Sequence, residues 1–238
     1  RLWGAHMDAV LFDLDDTLYD QVKPFEKAFA KTVGPTDRLD VPQLFRMFRH
    51  YSDLLFEASV EGSLSVERMR VLRFQRACAD SGIVVSDETA AAFQETYAWN
   101  QHHAIEVTPA IRELLAWCAK AVRMAIVTNG PSGHQRAKVR TLGLDKWFPA
   151  DRVLVSEDLG VAKPDAEMFL RAARALGTAV DDCVFVGDSP ANDVAGANAA
   201  GMPVVWFDRR GIPLVEGTAP TWTVTREEEI LPLLKSLR

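Results

Sequence analysis

Short apolar runs separated by helical segments constrain the fold of this chain most. Five runs are almost entirely apolar, which is typical of strands buried on both faces of a parallel sheet. They are AVLFD (Ala9–Asp13), RMAIVT (Arg123–Thr128), RVLVS (Arg152–Ser156), CVFVG (Cys183–Gly187) and PVVWF (Pro203–Phe207). Helical patterns occupy Ile111–Ala121, Gln135–Leu142, Ala166–Leu176, Asn192–Ala200 and Arg226–Leu237. This alternation predicts an α/β fold with a doubly wound parallel sheet.

The stretch between the first and second apolar runs breaks the alternation. It contains no strand pattern, and its apolar residues recur at helical spacing. Ser65 and Ser86 stand where helix N-caps are expected. Roughly 80 helical residues are too many for an ordinary crossover between two strands. We therefore expect an inserted all-helical domain over residues 20–105, and a core formed by residues 7–19 and 106–238.

The composition of the chain indicates its compartment and the classes of partner that it does not bind. Its 238 residues are 48% hydrophobic and carry a net charge of −6, with no basic run to contact nucleic acid. No apolar run approaches the length of a membrane span. The three cysteines (Cys78, Cys118 and Cys183) lie far apart and suggest reduced thiols. We expect a cytoplasmic protein with no nucleic-acid or membrane partner, in which Arg1–His6 are a non-native remnant and Met7 is the native start.

Polar residues follow the predicted strands at the points where the strands end. Ligands of open α/β sheets bind beyond these carboxyl ends, so we expect such residues to face one crevice. Asp13 ends the first strand and is followed by Asp15 and Thr17, and Thr128 ends the second strand and is followed by Asn129 and Gly130. Lys163 lies in the loop after the third strand, and Asp188 and Asp193 follow the fourth. Of these, Asn129 and Gly130 are expected to bind substrate.

The charges of this set predict a metal ion. Four carboxylates against the single ammonium of Lys163 would repel one another unless a cation joined them. Oxygen ligands without His or Cys favour Mg²⁺. We also expect a shared proton on Asp15, which would bring the site close to neutral.

The same residues predict phosphoryl transfer. Asp13 can hold the metal with one oxygen and attack phosphorus with the other, giving an aspartyl-phosphate. Asp15 can protonate the leaving oxygen and then activate water, while Thr128 and Lys163 stabilise charge on the phosphoryl group. Each motif alone could be an ordinary turn or helix start, but four in this order predict hydrolysis of a small-molecule phosphate ester.

The motifs DLDDT, VTNG, AKPD and GDSPAND resemble the four motifs of the haloacid dehalogenase-like (HAD) hydrolase superfamily, and the resemblance covers nearly the whole chain from Met7. It implies a Rossmann-like core with a helical C1 cap inserted after the first motif. It also implies Mg²⁺ on Asp13, on the backbone carbonyl of Asp15 and on Asp188. In that pattern Asp193 would orient the metal's ligands rather than bind the metal directly.

Within this superfamily, TNGPSGHQRAKVRTLGL and VSEDLGVAKPDAEMF are most similar to the pyrimidine 5′-nucleotidase branch. That resemblance implies nucleoside 5′-monophosphates as substrates. The open alternatives are a sugar phosphomutase, a 2-haloacid dehalogenase and a non-enzymatic binding module that retains a relic site. A dehalogenase would attack carbon without a metal and would have no acidic residue at the position of Asp15. The sequence does not indicate an oligomeric state.

Overall fold

The structure is a computed structural model that describes residues 7–238, so the expected remnant at residues 1–6 lies outside the described residues. The chain divides into two compact units. One unit combines the chain up to Asp20 with Glu106–Arg238, and the other is Gln21–Ile105. We refer to them as the core unit and the helical unit.

The helical unit consists of four α-helices. They are α1 (Val22–Thr32), α2 (Val41–Val60), α3 (Val66–Asp80) and α4 (Asp87–His103). The predicted N-caps are confirmed, because the hydroxyls of Ser65 and Ser86 accept backbone N–H groups three residues further along. A buried aromatic cluster forms the centre of this unit, in which the rings of Phe74 and Phe93 stack at a centroid distance of 3.6 Å.

The core unit contains a six-stranded parallel sheet with the order β3-β2-β1-β4-β5-β6. Its strands are β1 (Ala9–Phe12), β2 (Arg123–Thr128), β3 (Val153–Val155), β4 (Cys183–Gly187), β5 (Val204–Phe207) and β6 (Trp222–Val224). The first five were predicted within one residue at each end. The strand order reverses beside β1, which is where doubly wound sheets bind ligands. The predicted fold class is therefore confirmed.

Helices connect the strands of the core unit. They are α5 (Pro109–Ala121), α6 (Ser132–Thr141), α7 (Ser156–Leu159), α8 (Ala166–Leu176), α9 (Ala195–Ala200) and α10 (Glu227–Ser236). Short 3₁₀ turns lie at Leu144–Lys146, Ala150–Arg152 and Val180–Asp182, and a π-helical turn lies at Pro190–Val194. Every residue of β1 and β4 is buried, as the continuous apolar runs predict.

The register of the central strands determines where the site residues lie. Phe12 pairs with Ile126 on one side and with Val186 on the other, so the neighbouring strands reach this end of the sheet nearly together. The backbone N–H of Asp13 donates to the carbonyl of Val186 at 2.9 Å and extends this ladder by one residue. As a result, Asp13 and Asp188 leave the sheet at the same edge.

Across residues 7–238 there is no helix with both the length and the apolar character needed to cross a membrane. Cys78, Cys118 and Cys183 are free thiols, and all three are buried.

Candidate active site

Lys163 joins two carboxylates at the carboxyl edge of the sheet. Its Nζ lies 2.6 Å from Oδ1 of Asp13 and 2.7 Å from Oδ1 of Asp193, and its side chain is 3% exposed. Burial alone would lower the pKa of Lys163, but the neighbouring Asp13 and Asp193 raise it above its usual range. The ammonium therefore remains charged and holds both carboxylates in place.

Asn129 positions the loop that carries Lys163. Its side-chain N–H donates to the backbone carbonyl of Lys163 at 2.8 Å, and its Oδ1 accepts the backbone N–H of Lys163 at 2.9 Å. The backbone N–H of Gly130 donates to Oγ of Ser156 at 3.0 Å. These groups of Asn129 and Gly130 thus have partners within the protein, and the role of both residues in substrate binding stays a prediction.

Asp193 lies against the end of β4. Its Oδ2 accepts the backbone N–H of Ser189 at 2.9 Å, while its Oδ1 faces Lys163, so both oxygens are engaged by the protein. Gly187 permits this approach, because a Cβ at that position would lie 2.7 Å from the Cβ of Asp193. The contacts of Asp193 fit an orienting residue better than a direct metal ligand.

Asp13 and Asp188 approach each other beside the hydroxyl of Thr17. This hydroxyl lies 3.2 Å from Oδ2 of Asp13 and 3.4 Å from Oδ1 of Asp188, and its one proton can serve only one of them at a time. Carboxylate oxygens of Asp13, Asp188 and Asp193 all lie within 4.8 Å of one another. The structure therefore brings together a buried acidic cluster that consists of predicted site residues.

The charge of this cluster fits a divalent cation. The cluster combines the three carboxylates with the ammonium of Lys163, which contacts Asp13 and Asp193, so its formal charge is −2 when all four groups are ionised. Burial raises the pKa of Asp13 to about 6, and Asp193 and Asp15 add to the effect while Lys163 opposes it. A cluster of oxygen donors with two surplus negative charges has the chemistry that Mg²⁺ prefers.

Asp15 lies in a separate ion pair. Nζ of Lys138 is 2.6 Å from Oδ1 of Asp15 and 2.8 Å from its Oδ2, and Tyr19 and Gln135 also donate to this carboxylate. Burial would raise the pKa of Asp15, but Lys138, Tyr19 and Gln135 together hold it well below its usual range. The expectation of a shared proton on Asp15 is therefore wrong, because Lys138 neutralises this carboxylate.

Sequence reasoning missed Lys138 and Gln135. Both are buried on α6, and Gln135 also donates to Oγ1 of Thr128, which is 1% exposed. A signal for them exists, since polar residues three positions apart interrupt the buried face of a helix that begins just after Thr128 and Asn129.

The other acidic residues near the end of β1, Asp16 and Asp20, form ion pairs with Arg210. Asp16 adopts a φ of 66° and accepts two hydrogen bonds from Arg210, at 2.9 and 2.7 Å. Arg210 also contacts Asp20. Arg209 donates to the backbone carbonyls of Asp16 and Thr17 at 2.9 and 3.4 Å. The turn after β1 is thus held by two consecutive arginines.

Comparison with known proteins gives a consistent result. The haloacid dehalogenase-like hydrolase family matches residues 7–201, which is most of the chain. Glyceraldehyde 3-phosphate phosphatase of Methanopyrus kandleri is 30% identical over 96% of this chain and 97% of its own. Pyrimidine 5′-nucleotidase YjjG of Escherichia coli is 35% identical over 47% of this chain and 49% of its own. A solved 2-haloacid dehalogenase from Pseudomonas syringae aligns at a TM-score of 0.60 with 27% identity, covering 98% of this chain and all of the other.

Proposed function

Because the chain belongs to the haloacid dehalogenase-like hydrolase family, we propose that it hydrolyses phosphate monoesters of small molecules through an aspartyl-phosphate on Asp13. The observation that carries this proposal is the pair of carboxylates two residues apart. Asp13 is fixed by Lys163, and Asp15 is fixed separately by Lys138. The pair supplies a nucleophile and an acid/base group that do not compete for one cation.

In the first step, an oxygen of Asp13 attacks phosphorus and the ester P–O bond breaks. Asp15 delivers a proton to the departing oxygen, which leaves as an alcohol. Lys163 and the hydroxyl of Thr128 stabilise negative charge on the phosphoryl oxygens. Asp15 must acquire its proton for this step, because the Lys138 contact favours its ionised form.

In the second step, Asp15 accepts a proton from water as that water attacks phosphorus. The bond between phosphorus and the oxygen of Asp13 breaks, which releases inorganic phosphate and restores the carboxylate. The ionised state favoured by Lys138 suits this base role directly.

We propose Mg²⁺ as the cofactor, held by Asp13, Asp188 and the backbone carbonyl of Asp15. The oxygen-only cluster and its surplus negative charge support this assignment. When bound, the ion would supply charge neutralisation for the transferring phosphoryl group. Asp193 would orient Asp13 through their shared partner Lys163.

We propose that the helical unit, Gln21–Ile105, acts as the cap that selects the substrate, as predicted above for residues 20–105. Nucleoside 5′-monophosphates are the first candidates, since YjjG is named for them, but a second relative is named for a triose phosphate. The cytoplasm remains the proposed compartment, supported by three thiols that are free in the described chain.

The alternative activities differ from the proposed one in the residues that they need or in the acceptor of the phosphoryl group. A 2-haloacid dehalogenase has the same general fold, but Asp15 with its dedicated lysine supplies an acid/base group that dehalogenation does not need. A phosphomutase would transfer the phosphoryl group back to its product instead of releasing it to water.

Phosphate release tests the proposal. We expect the purified protein to hydrolyse p-nitrophenyl phosphate with Mg²⁺ and to lose turnover when the ion is chelated. Asp13→Asn should abolish turnover, since an amide is not a competent nucleophile, whereas Arg140→Met on the exposed face of α6 serves as a matched control. Wild-type rates in Asp13→Asn, or release of halide but not phosphate, would contradict the proposal. A panel of nucleoside monophosphates and sugar phosphates then identifies the preferred ester.

A further inference from the structure

The carboxylate of Asp15 is surrounded by donors from two segments of the core unit. Tyr19 approaches from the chain that follows the first motif, and its hydroxyl lies 2.6 Å from Oδ1. Gln135 and Lys138 approach from α6, with Nε2 of Gln135 2.8 Å from Oδ2. Lys138 contacts both oxygens. Each carboxylate oxygen therefore accepts at least two hydrogen bonds from the protein.

These donors are themselves buried. Tyr19 and Gln135 are 1% exposed, and Lys138 is 2% exposed. Burial of a lysine is unfavourable unless its charge is paired, so the position of Lys138 is closely tied to that of Asp15. Rotation of the carboxylate plane would break contacts on both oxygens at once.

We propose that Lys138 is a positioning residue that fixes the carboxylate plane of Asp15, and thereby serves both half-reactions of the proposed phosphatase. Gln135 extends this support, since the same amide also donates to Thr128. Tyr19 completes it from the opposite segment. This inference rests on the proposed function and adds a requirement for residues outside the four motifs.

The proposal makes the three chemical events respond differently. Expulsion of p-nitrophenolate needs little protonation, so attack on p-nitrophenyl phosphate should tolerate a misplaced Asp15. Expulsion of the alcohol from p-nitrobenzyl phosphate requires a general acid, and hydrolysis of the phosphoenzyme requires a general base. Both of these events should slow when the carboxylate is no longer held in place.

The experiment measures these rates in Lys138→Met by rapid quench, using the two esters at saturating Mg²⁺. We expect cleavage of p-nitrobenzyl phosphate and decay of the phosphoenzyme to fall by about 10²-fold. Phosphoenzyme formation from p-nitrophenyl phosphate should change by less than about threefold, which a general loss of structure would not produce. Tyr19→Phe removes one donor and keeps the ring, so it should slow the same two events by about tenfold. Arg140→Met, also on α6, should leave all three rates unchanged.

Several results would overturn the inference. Equal losses in all three rates would indicate a structural role, and unchanged rates would indicate no role. Slower phosphoenzyme decay alone would mean that Lys138 acts on the charge of Asp15 and not on its placement. Should Lys138→Met fail to fold, the pattern in Tyr19→Phe decides by the same criteria. A wild-type protein that forms no phosphoenzyme from either ester would refute the proposed function itself, and this inference with it.

Discussion

The aspartates of the first motif each have a cationic partner from a distant part of the chain. Asp13 is bound to Lys163 and Asp15 to Lys138, while Arg210 contacts both Asp16 and Asp20. Lys163, Lys138 and Arg210 lie after different strands, so they reach these aspartates only when the sheet has folded. This pairing explains how acidic residues so close in sequence coexist in the folded core unit.

Gly187 should be intolerant of a side chain. A methyl group there would overlap Asp193, and we expect Gly187→Ala to displace that carboxylate and destabilise the protein by about 1–3 kcal/mol. Phosphatase turnover should fall with it, since Asp193 helps to hold Lys163. Gly133 is the matched control, because it lies on α6 with open space around it, and Gly133→Ala should be neutral or stabilising by about 0.5–1 kcal/mol. Chemical denaturation and turnover of both variants check this, and equal behaviour of the two would contradict it.

The thiols should be unreactive in the folded protein. Burial raises the pKa of Cys78, Cys118 and Cys183 to about 12. Because the thiolate is the reactive form, a raised pKa leaves very little of it at pH 8. We expect slow reaction with Ellman's reagent at pH 8 until guanidinium restores ordinary thiol pKa values of about 8.5. Rapid labelling of the native protein would contradict this.

For single residues, sequence reasoning identified the site residues at the ends of strands but not Lys138 and Gln135, which reach Asp15 from a helix. Asp13 and Asp188 follow continuous apolar runs, and the edge of a parallel sheet brings such residues together. Lys138 lies within a helix, where its spacing from Gln135 is a signal for a shared face but does not show what that face contacts. Burial depends on tertiary packing, so the carboxylate that receives this lysine could not be predicted.

Among the elements, the turn after β1 depends on the segment after β5. Arg209 and Arg210 follow β5 and donate hydrogen bonds to the turn that contains Asp16. Arg209 also pairs with Glu227 at the start of α10 at 2.6 Å. These contacts link the first motif to the C-terminal part of the core unit.

Removal of the contacts between Arg210 and the turn after β1 should destabilise the core unit. Arg210→Met would remove the ion pair between Arg210 and Asp16, whose side chain is 1% exposed, and loss of one partner from a buried pair costs about 3 kcal/mol or more. Arg174 is the control, since it is 61% exposed and its pair with Glu167 lies on the surface. Arg174→Met should change the free energy of unfolding by less than about 1 kcal/mol. Urea denaturation measures both, and similar values would contradict the assignment.

The predicted elements agree with the structure where a segment was long and its apolar residues were regularly spaced. The strand Trp222–Val224 and the helix Ser156–Leu159 were not predicted, because three or four residues carry too little periodicity. The predicted helix Asn192–Ala200 instead begins with the π-helical turn Pro190–Val194. That turn allows Asp193 to reach Lys163, which is a tertiary requirement that helical spacing does not contain.

On the scale of the whole molecule, each unit has its own hydrophobic core. The aromatic cluster around Phe74 belongs entirely to the helical unit, and the core unit has a separate cluster that includes Phe169 and Phe185. Residues of the two clusters are distinct, so local stability can differ between the units.

Phe74→Ala should therefore lower the local stability of the helical unit and leave that of the core unit nearly unchanged. Removal of a fully buried phenylalanine costs about 4 kcal/mol. We expect amide hydrogen exchange to accelerate across residues 21–105 while β1 and β4 retain most of their protection. Phe169→Ala is the reciprocal control, and it should affect the core unit first. Equal acceleration in both units for either variant would show a single cooperative unit instead.

The most direct test of the whole account identifies the residue that carries the phosphoryl group. The enzyme is mixed with labelled p-nitrophenyl phosphate and Mg²⁺, quenched in acid within one turnover, and digested for peptide mapping by mass spectrometry. We expect a single acid-stable, base-labile acyl phosphate on Asp13. A phosphoryl group on any other side chain, or phosphate release with no labelled intermediate, would contradict it.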